Sequence, residues 1–181
     1  MTRIGRRRIR MALVLPCALL PMVGCSSVDS DENKLGYEPA VRDKQEVEDE
    51  VGSLSSRVLE MLRVKGQVTE PGPMTNFCDT GGDDTPRYRV VAHPWSLYGV
   101  DNNALGKGMD RLADQLPKKG WKVVRHGPDS SKNRNLEIVA VHTKTHTHLE
   151  VTWMKGQDGH EPLISVDVTS RCFRDDDTPS G

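Results

Sequence analysis

No stretch of the 181 residues is apolar for the ~20 residues that a membrane-spanning helix needs. The longest such run, residues 11–23 (MALVLPCALLPMV), is shorter and carries Pro16 and Pro21. With 35% hydrophobic residues and a mean hydropathy of −0.57, the chain is too polar for a multi-span membrane protein. Cysteines number four and form no CxxC pair, so neither a zinc ribbon nor a thioredoxin-like motif is supported. GxSxG, SxxK, a phosphate-binding loop and a complete dinucleotide glycine motif are all missing. His160-Glu161 begins like HExxH but lacks the second histidine. Gly106-Lys107-Gly108 falls inside a helical pattern rather than after a strand, and reads as a weakened or closely packed helix turn. Aromatic residues make up only 4%.

Charge is near balance overall but uneven along the chain. Residues 1–24 hold five arginines and no acid, which leaves 20 of the 25 basic residues against all 26 acids. A body with a net charge of about −6 argues against a general nucleic-acid binder, whose electrostatic footprint is basic.

Those first 24 residues have the order of an export signal: a basic MTRIGRRRIR, the apolar run, then Met22-Val23-Gly24-Cys25. Arginines hold the N-terminus on the cytoplasmic side while the apolar stretch inserts. Gly24 leaves room for a peptidase at the scissile bond. The Met22–Cys25 tetrapeptide resembles the lipobox of bacterial lipoproteins. That resemblance implies acylation of the Cys25 thiol, cleavage before it, and anchoring to the lipid bilayer on the extracytoplasmic face. More than one acyl chain makes such an anchor stable. Arg6-Arg7-Arg8-Ile9 also hints at a twin-arginine signal, and the export route stays open between that and the general secretory one.

Cys17 leaves with the signal and Cys25 takes lipid, so Cys78 and Cys172 remain. In an oxidising compartment an even pair predicts a disulfide, stabilising by on the order of 4 kcal/mol through loop entropy; two buried thiols are the alternative.

The exported part divides into a polar tether through residue 42, one domain over 43–173 and an acidic tail, 174–181. Val47, Val51, Leu54, Val58 and Met61 predict an amphipathic helix over 43–64. Leu105, Met109, Leu112 and Leu116 predict a second over 102–117, ended by Gly120. Strands are expected at 87–93, where Pro94 stops the strand or marks an edge, and at 121–125, 136–143, 147–154 and 163–170. The fold class is α+β. It is a two-layer sandwich of order α-β-α-β-β-β-β, with a mainly antiparallel five-stranded sheet and two helices covering one face.

Two stretches offer candidate sites. His142, His146 and His148 crowd the turn between the third and fourth strands. A three-residue turn would bring His142 opposite His148, with Glu150 nearby, as imidazole and carboxylate ligands for zinc or copper. A two-residue turn would separate them, and a solvent-facing polar hairpin is the plainer outcome. Trp95, Leu97 and Tyr98 follow Pro94 in an expected loop and offer a partner surface, or else a lid over the sheet edge. No cofactor is implied. The sequence thus points to a lipid-anchored, non-catalytic binding or structural module of the cell envelope, with an envelope protein or a small ligand as its partner and no nucleic acid. Metal or small-ligand binding through the histidine hairpin and an enzyme of unfamiliar type are the alternatives.

Overall fold

A computed structural model describes residues 35–69, 71–78, 88–157 and 159–175. The expected signal, Cys25 and the last six residues lie outside them.

The first helix, α1, spans Lys44–Leu62. Asp43 caps it by accepting from the Glu46 N–H at 2.8 Å, and Arg63 closes it in the left-handed conformation (φ 50°). All five residues of the predicted stripe are buried, together with Ser55 and Leu62. The second helix, α2, spans Asn102–Gln115, capped by Asp101, and runs into a 3-10 turn at Leu116–Lys119. Leu105, Met109, Leu112 and Leu116 are fully buried, as their spacing requires. Gly106 and Gly108 are close approaches: a Cβ would lie 2.9 Å from the Trp153 ring and 2.7 Å from Val64 Cγ2, respectively.

Nine strands form one sheet among the described residues: β1 (Val41–Arg42), β2 (Gln67–Val68), β3 (Met74–Phe77), β4 (Tyr88–Tyr98), β5 (Trp121–Pro128), β6 (Leu136–His142), β7 (His148–Met154), β8 (Leu163–Thr169) and β9 (Phe173–Asp175). The main path is β1-β9-β4-β8-β7-β6-β5, with β2 and β3 both on β4. The five predicted strands correspond to β4 to β8, and β6-β7-β8 form the expected antiparallel meander. The sheet is nonetheless larger than five strands. β1, β2, β3 and β9 have two to four residues each, too short for an alternating pattern to register.

Three boundaries also differ from expectation. Pro94 does not end its strand: β4 continues to Tyr98. Ser96 directs its backbone outward to Thr69, so Pro94, two residues earlier, turns its missing N–H toward the same edge. That edge is unpaired there, because β3 stops at Ala92 and β2 begins at Leu97. The chain expected to be a tether through 42 is bound to the domain from Tyr37 on. Tyr37 Oη accepts from the Cys172 N–H at 2.9 Å, Arg171 lies 3.5 Å above the Tyr37 ring, and β1 pairs in parallel with β9. Arg174 and Asp175, expected in the tail, belong to β9.

Both helices cover one sheet face. Their stripes meet Val91, Trp95, Leu97, Ile138, Ala140, Leu149, Val151, Ile164, Val166 and Val168 in a single core. Inside it the Trp95 indole N–H donates to Ser55 Oγ at 2.6 Å, which satisfies the one polar atom the ring brings. Replacing Ser55 with Ala leaves that donor buried and unpaired. The expected loss is about 1–3 kcal/mol in urea denaturation. Ser56→Ala, at an exposed position whose hydroxyl bonds within its own helix to Gly52 O, should stay within about 0.5 kcal/mol of wild type.

Candidate functional site

A cleft opens where the outer edge of β4 is unpaired. Pro71-Gly72-Pro73 carries the chain from β2 to β3, with Gly72 at φ +74°. Pro73 sits against α1 at Gly52, where a Cβ would come within 3.3 Å of its Cγ. The connection therefore stands off β4 while touching the helix. The space between encloses about 370 Å³. Trp95, Leu59 and Val68 supply apolar walls; Ser55, Thr69 and His93 supply the polar groups.

His93 is the unusual member. Its Nδ1 is buried and has no hydrogen-bond partner among the described residues. Burial lowers its pKa below the ordinary histidine value, against an opposing pull from Asp167. That shift favours the neutral ring, which offers one donor and one acceptor. No lysine, arginine, aspartate or glutamate lines the cleft among the described residues. Nothing in the sequence flagged His93, because a lone histidine on a strand has no spacing to betray it.

The other candidates take different places. Trp95 and Leu97 are not in a loop. They are core positions on β4, with Leu97 fully buried and Trp95 nearly so, and neither can form an exposed partner surface. Tyr98 is half-buried at the strand end, paired with Gln67. An alternating apolar pattern runs through Pro94 into Trp95 and Leu97, so the core claims their side chains.

The histidine turn has neither expected length. Val141 pairs with His148 and the His142 N–H donates to the Thr147 carbonyl at 2.8 Å, which leaves four residues, 143–146, in the turn. Thr143 causes this by bonding the Gly120 carbonyl through both its N–H (2.8 Å) and its hydroxyl (2.9 Å), which draws the chain out of the ladder. His142 therefore falls on the helix-covered face. Its ring lies 5.1 Å from that of Trp121, and its Nδ1 is 2.9 Å from Thr145 Oγ1. His148 projects from the opposite face, where it is exposed beside Glu150. His146 has φ 57° and lines a separate crevice of about 180 Å³ with Arg42 and Arg171. The three imidazoles do not converge, and no group of three metal-ligating side chains occurs among the described residues.

Cys78 and Cys172 are joined in a disulfide, with their Cα atoms 5.8 Å apart and their positions 94 apart in sequence. It ties the end of β3 to the corner between β8 and β9, beside the Tyr37–Arg171 stack. No helix among the described residues is long and apolar enough to cross a membrane.

Two half-buried histidines make stability depend on pH. Burial lowers the pKa of His142 as well, helped by Arg57 and opposed by Glu50. A group whose folded pKa is depressed takes up its proton preferentially in the unfolded chain, so stability falls as pH drops through about 6.5. Urea midpoints should therefore decline from pH 7.5 to pH 5.5. The double variant His93→Gln/His142→Gln should show a shallower decline, and an unchanged slope would mean these rings are not the groups responsible.

Comparison with protein-family models, with characterised proteins and with solved structures finds no match for this chain.

Proposed function

We propose that the chain is a lipoprotein of the bacterial cell envelope, exported, acylated at Cys25 and acting through its α+β domain as a non-catalytic binding module. The observation that carries this is the pairing of Cys78 with Cys172. They are the two cysteines left over if Cys17 is removed with a signal and Cys25 receives lipid. Disulfides persist in oxidising compartments, so this pairing and the lipobox-like Met22–Cys25 support the same address.

Binding of Tyr37 to the disulfide corner adds a distance. Twelve residue steps separate Cys25 from Tyr37, and a chain of that length spans at most about 40 Å. The domain would work close to the bilayer, anchored at the corner where β1 meets β9. Between the two binding modes weighed from sequence, the cleft favours a small ligand over a metal, because the hairpin histidines face apart.

The wild-type chain, expressed in a bacterial host fed radiolabelled palmitate, should carry label and sediment with membranes. Cys25→Ala should lose the label entirely. Label that persists in this variant, or an unprocessed wild-type chain found in the cytosol, contradicts the proposal.

A further inference from the structure

We propose that the crevice at the disulfide corner binds a single carboxylate group, with the Arg171 guanidinium as its principal partner. The proposal deepens the binding-module reading and rests on it, but not on the lipid anchor.

Four stretches of chain meet at this crevice: the segment 37–42, the first turns of α1, the turn between β6 and β7, and the corner 170–173. Arg171 is the uncommitted group among them. Its guanidinium lies 3.5 Å above the Tyr37 ring, and no carboxylate or carbonyl accepts its N–H groups among the described residues. The carboxylates of the described lining are engaged by other arginines, Glu50 by Arg42 at 3.1 Å and Glu38 by Arg174 at 3.5 Å. A guanidinium stacked on an aromatic ring keeps its planar fork of donors along its edge, the geometry that a carboxylate matches.

The stack is fixed before any ligand arrives. Tyr37 Oη accepts from the Cys172 N–H at 2.9 Å, and Cys172 is tied to Cys78. Ser170 Oγ donates to the Arg171 carbonyl at 2.8 Å and accepts from the Val91 N–H at 3.0 Å. Little ordering of these groups remains to be done on binding. Two further donors belong to the same lining. The Tyr37 hydroxyl hydrogen has no acceptor among the described residues. His146 is set at the crevice in its left-handed conformation, its N–H donating to the His142 carbonyl at 2.8 Å, and even a neutral imidazole carries one ring N–H.

Size and charge narrow the ligand. About 180 Å³ is less than the ~300–1,000 Å³ of pockets for drug-sized molecules, so the crevice takes a small acid or the carboxyl end of a longer one. Glu38 and Glu50 border the same space and repel a second negative charge, which favours a monoanion over a dianion.

The test is calorimetric titration of N-acetylalanine into the full chain carrying Cys25→Ala, which removes the acylation site. Saturable binding is expected. N-acetylalaninamide, similar in shape but uncharged, and sulfate, a dianion, should each bind at least ~10-fold more weakly. Arg171→Met keeps an aliphatic stem on Tyr37 but removes the fork, and should weaken binding ~10- to 100-fold. Arg171→Lys, which keeps the charge without the fork, should weaken it ~10-fold. Lys107→Met, exposed on α2, should leave it unchanged. On the parent chain, N-acetylalanine should protect Arg171 from phenylglyoxal in peptide mass mapping, a readout that needs no Arg171 variant to fold. No saturable binding, equal binding of the amide or of sulfate, unaltered affinity in a folded Arg171→Met, or no protection of Arg171 each overturns the proposal. N-acetyltrialanine bound more tightly than N-acetylalanine supports a peptide C-terminus as the source of the carboxylate, and weaker binding supports a free small acid. A chain that labels with palmitate yet fails here keeps its anchor and loses this site; lost label with carboxylate binding intact separates them the other way.

Discussion

The architecture depends on one strand having to satisfy two edges at once. β4 is eleven residues long and pairs with β8 and β9 on one side and with β2 and β3 on the other. A proline near its middle removes one donor from the outer side. Two short strands flank that point rather than one long strand crossing it. The chain between them is lifted by Pro71-Gly72-Pro73 and braced on α1. A cleft results at the place where the sheet edge cannot be completed. Trp95, immediately after the proline, points inward and fills the floor, and its indole N–H accounts for a serine buried in α1.

The same economy shapes the disulfide corner. β9 is three residues long and β1 two, and neither would hold on backbone bonds alone. The Cys78–Cys172 bridge, the Arg171–Tyr37 stack, and the Arg42 ion pairs to Glu46 and Glu50 all meet there. The segment leading in from the N-terminus is thus fastened to the domain before α1 begins. For a chain tethered to a surface, such a fastening would pass load into the sheet rather than into the helix cap.

Electrostatics divides the two faces of the sheet. The uncovered face carries Glu150 directly opposite Asp167, two carboxylates in cross-strand register, a pairing that costs stability. Thr169 eases it by donating to Asp167 at 2.5 Å, and Arg125 forms an ion pair with the nearby Glu137. Three carboxylates, Glu137, Glu150 and Asp167, thus gather on this face.

Periodicity settled much of this protein in advance. Both helices, their buried stripes, the antiparallel meander and the α+β class follow from 3.6- and 2-residue spacings. These hold because each long element must turn one continuous apolar side to the core. The pairing of Cys78 with Cys172 also agrees with the expectation from sequence. Strands of two to four residues were beyond reach, since they carry no repeat and exist only because a neighbour offers unpaired backbone. The hairpin register was beyond reach too, decided by two hydrogen bonds from Thr143 to a glycine carbonyl 23 residues away. Trp95 and Leu97 read as exposed because local rules made Pro94 a stop, whereas a proline is tolerated wherever its missing N–H meets no partner. His93 gains its interest only from what folding sets around it. Local patterning determined which side chains are buried; long-range pairing alone decided which buried polar atom is left without a bond.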